Sequence, residues 1–169
     1  MKTRTRKNIR TLTKAGMIAA LYVVLTWVSA LFGLAGTNAV QLRLSEALCI
    51  LPCFTAAAIP GVTVGCLLAN LLTGALLPDI VFGTLATLLG TLGTYALRRY
   101  RYLITLPPIL SNTLIIPLVL HYAYIDITES LPFLFATAFA GEVLSVGVLG
   151  TVLYLSLYRY RYRIFGENQ

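Results

Sequence analysis

Charged residues are scarce in this chain: they make up 11% of its 169 residues, against about 25% in soluble domains. Hydrophobic residues make up 58%, and the mean hydropathy is +0.83. The length suits one domain. This composition excludes an ordinary soluble enzyme, a disordered chain and a secreted disulfide scaffold. It predicts a polytopic membrane protein.

Histidine, cysteine and lysine are also rare. A single histidine, His121, excludes a His-rich metal or haem site. The odd number of cysteines (Cys49, Cys53 and Cys66), all within apolar runs and without metal-ligand spacing, favours small buried side chains over disulfides. The last lysine is Lys14, so no GxxxxGK[ST] phosphate loop follows it, and HExxH and GxSxG are missing. We therefore expect no enzyme activity, cofactor or metal in this chain.

Six apolar runs follow one another along the sequence. A hydrocarbon core of about 30 Å requires roughly 20 apolar residues per helix. Helices are predicted over residues 15–34, 44–58, 60–77, 80–97, 103–124 and 132–158. A cleaved signal peptide is an alternative for the first run, although its length exceeds the usual range of about 7–15 residues. The prediction is an all-α membrane protein with a six-transmembrane-helix bundle.

Basic residues fall into three clusters, which in a six-helix arrangement lie on the same side. They precede the first helix and follow the fourth and the sixth. The positive-inside rule then places both termini in the cytoplasm, and tyrosines near the predicted helix ends suit the membrane interface. The predicted parts are a basic cytoplasmic N-terminal segment (1–14), a transmembrane domain (15–158) and a basic cytoplasmic tail (159–169). A multi-pass protein of the cell (cytoplasmic) membrane is expected.

Several polar residues interrupt the apolar runs, all in the predicted outer half or at the midplane. A charge at the bilayer centre costs about 2.5–3.5 kcal/mol, so such residues usually face a bundle interior or a cavity. The residues concerned are Gln41, Arg43, Glu46, Asn70, Asp79, Asn112 and Glu142. Glu142 is deep and has no partner nearby in sequence, which favours a functional role. Their one-sided placement predicts an outward-facing binding pocket.

Structural explanations exist for most of these residues. Arg43 and Glu46 are three residues apart and could form an ion pair on one helical turn. Asn70 and Asn112 could form hydrogen bonds between helices. Asp79 could cap the fourth helix. These alternatives stand beside a role in ligand binding.

Small residues recur at four-residue spacing on two predicted helices. Ala15 and Ala19 do so on the first helix, and Gly61 and Gly65 on the third. Such spacing lets helix backbones approach closely. Packing within the bundle is favoured for the third helix. For the first helix, an external helical partner and a neighbouring helix are both open.

Two blocks resemble a known family: VQLRLSEAL over residues 40–48 and DIVFGTLATL over residues 79–88. Shorter similar stretches are residues 59–61, 65–70, 111–113 and 141–142. The chain resembles the QueT family, the substrate-binding S component of energy-coupling factor (ECF) transporters. The resemblance spans nearly the whole chain.

The resemblance implies uptake of a queuosine precursor, a 7-deazaguanine base, by a six-helix bundle that holds its ligand toward the outside. It also implies a transmembrane T component and two cytosolic ATPases as partners, which fits the missing phosphate loop. In such S components an alanine-spaced motif on helix one docks onto the T component. Ala15 and Ala19 occupy that place here. The mechanism implied by the family is toppling of the bundle in the membrane, driven by the ATPases.

Donor and acceptor types suggest roles for individual residues. A guanine-like face offers adjacent N–H donors, which the carboxylate of Glu142 or Glu46 can accept in bidentate fashion. Phe82 could stack on the ring, and an aminomethyl cation would suit Asp79 or another carboxylate. Candidate donors to the ligand carbonyl are Gln41, Asn112 and Arg43. The candidate substrate-binding residues are thus Gln41, Arg43, Glu46, Asn70, Asp79, Phe82, Asn112 and Glu142.

The main alternative is a stand-alone secondary permease for a small polar heterocycle or vitamin, driven by protons through Glu142. It predicts uptake by this chain alone, abolished when the proton gradient is collapsed. A third class is a membrane-embedded enzyme or structural subunit. The missing catalytic sets argue against the enzyme, and the buried acids of the outer half argue against the structural subunit. No nucleic-acid partner is expected.

Overall fold

A computed structural model describes residues 2–33, 42–123 and 130–165, which are helical apart from short turns and connections. The α-helices are α1 (Lys2–Leu31), α2 (Ala58–Leu72), α3 (Leu77–Ala96), α4 (Leu106–Ala123), α5 (Leu131–Glu142), α6 (Thr151–Tyr158) and α7 (Arg161–Phe165). A 3-10 helix, Leu44–Cys53, precedes α2, and a π-helical segment, Val143–Gly150, joins α5 directly to α6. The predicted all-α class is confirmed.

Among the described residues, four helical stretches are long and apolar enough to cross a membrane: Asn8–Leu31, Leu77–Ala96, Leu106–Ala123 and Leu131–Tyr158. Large apolar side chains point out of the bundle, as Leu85 and Leu89 of α3 show, whereas small and polar residues such as Gly83 and Thr87 point inward. Exposed leucines are stable in lipid, where small inward residues allow close helix packing. The chain therefore has the composition and the outer surface of a membrane protein.

Two predicted helices are shorter than expected. The prediction of a helix over residues 44–58 is wrong in type and length, because the 3-10 helix has 10 residues and spans about 20 Å at 2.0 Å per residue. Helix α2 has 15 residues and spans about 22 Å. All residues from Ser45 to Cys53 are buried, so neighbouring helices shield the 3-10 helix. Four stretches of sufficient length to span a membrane are thus found in the described part of the chain, and six spans remain a prediction.

The first helix also begins earlier than predicted. Helix α1 starts at Lys2 rather than at Ala15, so most of the basic segment 1–14 continues the helix. The side chains from Asn8 to Thr13 are exposed, which places this part of α1 beyond the packed bundle. The sixth predicted helix, 132–158, matches the continuous stretch Leu131–Tyr158 closely.

Helices α1 and α2 approach so closely that only glycine fits on the α2 side. A Cβ atom added at Gly61 would lie 2.8 Å from the Ala15 carbonyl oxygen. One added at Gly65 would lie 3.0 Å from the Ala19 Cα and 2.7 Å from the Tyr22 Cβ. The predicted packing role of the α2 glycines is confirmed, and their partner is α1.

The second and third basic clusters meet at one end of the bundle. Arg101 donates a hydrogen bond of 2.8 Å to the Tyr158 hydroxyl, and the Arg161 guanidinium lies 3.9 Å from the centre of the same ring. At the same end, the Phe54 and Tyr154 rings stack at 5.2 Å. The two clusters therefore share one side, as predicted. The assignment of that side to the cytoplasm stays a prediction.

Candidate functional site

A buried polar cluster joins four helical elements near the middle of the bundle. Glu46 lies in the first turn of the 3-10 helix, Tyr22 on α1, Asn112 on α4, and Glu142 at the end of α5. Glu46, Tyr22 and Asn112 are buried. The cluster lies away from the arginine-rich end, in the direction of the α1 C-terminus and the α3 N-terminus. Each side chain comes from a different element, so the cluster exists only in the folded bundle.

The Glu46 carboxylate accepts hydrogen bonds from three side chains. The Tyr22 hydroxyl donates a short bond to Oε1. The Cys49 thiol donates to Oε2 at 3.1 Å, and Asn112 Nδ2 donates to the same oxygen at 3.2 Å. A buried carboxylate needs such partners because isolated burial of its charge is costly. Three hydrogen-bond donors thus hold Glu46, in addition to its electrostatic interaction with Arg43.

Asn112 links the two acids of the cluster. Its Nδ2 also donates to Glu142 Oε1 at 3.0 Å, so one amide group bridges the 3-10 helix and α5. This confirms the predicted interhelical hydrogen bonding of Asn112. The other Glu142 oxygen, Oε2, is buried and has no hydrogen-bond partner among the described residues. Glu142 therefore presents an open acceptor.

A cavity opens beside this acceptor. Its lining residues are Arg43, Glu46, Gly83, Thr87, Asn112, Ile116, Ala138 and Glu142. The cavity volume is only about 20 Å³. That is enough for about one water molecule. A ring-shaped ligand would require the walls to move apart.

Arg43 supplies the cationic side chain of the cavity lining. Its guanidinium interacts electrostatically with the carboxyl groups of Asp79 and Glu46. Asp79 is 4% exposed and is the third residue of α3. The interpretation of Asp79 as a helix cap is wrong, because Leu76 holds that position and no side chain caps the helix. In the first turn its charge is favoured by the helix dipole.

Four of the predicted ligand-binding residues line the cavity: Arg43, Glu46, Asn112 and Glu142. Asp79 adjoins it through its interaction with Arg43. Asn70 is not among the lining residues; its Nδ2 donates to Cys66 Sγ at 3.6 Å on its own helix. Phe82 is 47% exposed on the outer side of α3, so the structure places it away from the cavity. Gln41 lies outside the described residues.

Thr87 and Tyr22 are among the site residues that the sequence predictions missed. Thr87 lines the cavity and donates a hydrogen bond of 3.3 Å to Cys66 Sγ. Tyr22 holds Glu46 in place. A signal existed for Tyr22, because it is the one tyrosine of ten that lies far from the predicted helix borders. For Thr87 the signal was weaker: it lies four residues after Gly83 on the same helical face.

The predicted partner-docking residues face inward in the monomer. Ala19 is buried, and the backbone at Ala15 and Ala19 lies against the α2 glycines. The small residues on the exposed face of α1 include instead Gly16 and Ala20. Docking through Ala15 and Ala19 stays a prediction, and it would require α1 to move away from α2.

Comparison with known proteins identifies the family. A profile described as QueT transporter matches residues 12–159, which is most of the chain and includes every residue of the buried cluster. Neither the search of curated proteins nor the search of solved structures found a match. The family match agrees with the resemblance seen in the sequence and indicates a transport protein rather than an enzyme. The chain belongs to the QueT transporter family.

Proposed function

We propose that this chain is the substrate-capture S component of an ECF-type importer, and that its ligand is a queuosine precursor, a 7-deazaguanine base. It takes the ligand from the outside and delivers it inward with a T component and two cytosolic ATPases. The observation that supports this most directly is the open Glu142 Oε2 acceptor, buried at the edge of a polar cavity in a member of the QueT transporter family.

The cavity chemistry suits a guanine-like face. Adjacent N–H donors of the ligand pair with a carboxylate in bidentate fashion. Glu142 Oε1 accepts a hydrogen bond from Asn112, and its Oε2 accepts none from the described residues. The ligand carbonyl requires a donor, which Arg43 supplies from the cavity wall. A buried site that hydrogen-bonds its ligand discriminates strongly against analogues that leave these groups unpaired.

Several features of the cavity walls would allow the cavity to widen. Gly83 and Ala138 are small, and Glu142 adjoins the π-helical segment Val143–Gly150. π-helical turns occur often at functional sites. Because the present space suits about one water molecule, we propose that ligand entry separates α5 and its π-segment from α3.

Calorimetry with the purified chain in detergent tests the binding site. Wild type should bind 7-deazaguanine bases without any partner protein. Glu142→Gln replaces an acceptor oxygen with an amide donor, so affinity should fall at least about tenfold, since bonds to a charged group contribute about 1.5–3 kcal/mol. Ser156→Ala is the control, because the Ser156 hydroxyl donates to the Val152 carbonyl of its own helix, at 2.8 Å. Unchanged affinity in Glu142→Gln would contradict the proposed site.

Uptake into proteoliposomes separates the S component from a secondary permease. The S-component proposal expects negligible uptake by the chain alone and uptake only with the T component, the ATPases and ATP. Uptake by the chain alone that stops when the proton gradient is collapsed would establish the permease instead.

For docking on the T component, we assign the exposed face of α1 at Gly16 and Ala20. Ala20→Trp should abolish co-purification with the T component and leave ligand binding intact. Ala15→Trp should instead destabilise the chain, because Ala15 packs on Gly61. If Ala20→Trp co-purified normally, this docking face would be wrong.

A further inference from the structure

The arginine-rich end of the bundle carries a concentrated positive charge. Six arginines lie there, in the connection between α3 and α4 and after α6: Arg98, Arg99, Arg101, Arg159, Arg161 and Arg163. The acids that the structure describes, Glu46, Asp79 and Glu142, line the cavity or adjoin it instead. Within the described part of the chain, this end therefore has no acidic side chain, and binding of the transported ligand does not use its charge.

Two of these arginines converge on one tyrosine ring. The guanidinium carbon of Arg101 lies 4.9 Å from the centre of the Tyr158 ring, and Arg101 donates a hydrogen bond of 2.8 Å to the Tyr158 hydroxyl. The guanidinium carbon of Arg161 lies 3.9 Å from the centre of the same ring, and Arg161 donates to the Tyr158 carbonyl oxygen at 3.3 Å. Two guanidinium groups from separate parts of the chain are thus held close together at the end of α6.

This arrangement prepares the two groups for a phosphate. Stacking on a ring contacts the face of a guanidinium, whereas its N–H donors point outward in the guanidinium plane, where they match phosphate oxygens in bidentate fashion. Two positive charges held near one ring also repel each other. An anion that contacts both arginines relieves this repulsion, and the ring has already fixed the side chains that bind it.

Exposed leucines adjoin the arginine pair on both of its elements. Leu103 and Leu106 follow Arg101 and are 42% and 44% exposed, and Leu155, one helical turn before Tyr158, is 65% exposed. Tyrosine rings are typical of the level of the lipid headgroups. The surface therefore has a cationic part beside an apolar part, which suits a molecule with a phosphate and acyl chains better than a free anion or an acidic protein.

We propose that Arg101 and Arg161, held on the Tyr158 ring, bind the phosphate of one anionic phospholipid in the leaflet at this end of the bundle. The acyl chains of that lipid lie along the exposed leucines beside the pair. The bound lipid links the connection between α3 and α4 to α7, and it neutralises part of the charge of this end. A zwitterionic phospholipid carries an ammonium group that the neighbouring arginines repel, so the site prefers a lipid such as phosphatidylglycerol.

Native mass spectrometry of the delipidated chain tests this site. The probes are phosphatidylglycerol and phosphatidylcholine with the same acyl chains, offered in equal amounts. A basic residue near an anionic lipid surface strengthens binding about fivefold, so wild type should retain one phosphatidylglycerol with a preference of at least about tenfold over phosphatidylcholine. Inorganic phosphate should not displace that lipid, because it has no acyl chains. Displacement by inorganic phosphate would indicate a site for free anions and overturn the proposal.

Two double variants with the same change in net charge locate the site. Arg101→Gln combined with Arg161→Gln should lose the preference for phosphatidylglycerol. Arg159→Gln combined with Arg163→Gln should keep most of it, because both of these arginines are exposed at the same end and the site does not use them. Equal loss in the two double variants would indicate a diffuse charge effect and overturn the proposal.

Two further outcomes would also contradict a lipid site. One is equal retention of the two lipids by wild type, a measurement that needs no variant to fold. The other is a variant of Arg101 and Arg161 that retains lipid normally but no longer co-purifies with the T component and ATPases, which would make this end a protein interface. Binding of 7-deazaguanine bases should be unchanged in both double variants, so the transport function proposed above does not depend on this result.

Discussion

Gly65→Ala tests the close contact between α2 and α1 that positions Tyr22 for its hydrogen bond to Glu46. The added methyl group would lie 2.7 Å from the Tyr22 Cβ and 3.0 Å from the Ala19 Cα and carbonyl oxygen. Two of these atoms belong to backbone, and the third is a Cβ, so no flexible side chain can rotate away. To restore carbon contacts of about 3.5–4.0 Å, α1 must move by roughly 0.5–1 Å.

The expected magnitude follows from two opposing terms. Overpacking a close interface costs about 1–3 kcal/mol, whereas alanine is favoured over glycine within a helix by about 0.5–1 kcal/mol. Gly65→Ala should therefore lower the free energy of unfolding by about 0.5–2 kcal/mol. Because Tyr22 moves with α1, its bond to Glu46 should lengthen, and ligand affinity should fall as well.

Gly16→Ala is the matched control on the partner helix. No atom lies within 4 Å of a Cβ added there, so only the helix preference acts, and the variant should gain about 0.5–1 kcal/mol. Unfolding by SDS titration in mixed micelles measures both variants, with the single tryptophan, Trp27 of α1, as the fluorescent reporter. If Gly65→Ala were stabilised as much as Gly16→Ala, the described packing of α1 on α2 would be refuted.

Three further predictions concern the cavity. Thr87→Val should weaken binding of a 7-deazaguanine base several-fold in calorimetry, whereas Thr63→Val should not, because the Thr63 hydroxyl donates to the carbonyl four residues earlier, at 2.8 Å. Equal effects of the two variants would remove Thr87 from the site. Ala138→Phe should fill the cavity and abolish binding while the chain stays folded by circular dichroism; retained binding would place the ligand elsewhere. Tyr22→Phe removes a donor to Glu46 and should lower the free energy of unfolding by about 1.5–3 kcal/mol, and an unchanged value in SDS titration would contradict a structural role for that bond.

Much of the fold could be predicted because apolar runs and turn residues are strong signals in a membrane protein. The 3-10 helix could not be predicted. All residues from Ser45 to Cys53 are buried, so the sequence has no amphipathic period that would distinguish a 3-10 helix from an α-helix. A segment of ten residues is also too short to show whether it is a separate short helix or part of a membrane-spanning helix that ends early. The start of α1 was missed because charged residues at its N-terminus suggested a separate tail.

The lining of the cavity was predicted in part, by the rule that polar and charged residues within apolar runs face a cavity. That rule found Arg43, Glu46, Asn112 and Glu142. Phe82, which that rule did not select, lies away from this cavity, since the inward face of α3 is made of small and polar residues and its large apolar residues point out of the bundle. The chemistry of the ligand led us to expect a stacking aromatic residue. The position of Phe82 along α3, however, places its ring on the outer surface of the bundle.

The short α2 has a consequence for the surrounding bilayer. Its exposed leucines, including Leu67, Leu68, Leu71 and Leu72, offer lipid an apolar surface only about 22 Å tall, against a hydrocarbon core of about 30 Å. If α2 crosses the bilayer as the six-helix prediction requires, lipid beside it must thin or the protein must tilt, at a fraction of a kilocalorie per mole for each ångström of mismatch. Acyl-chain length therefore sets the hydrophobic mismatch on one side of the protein. Thick membranes favour a tilted orientation of the bundle, and thin membranes reduce that tilt.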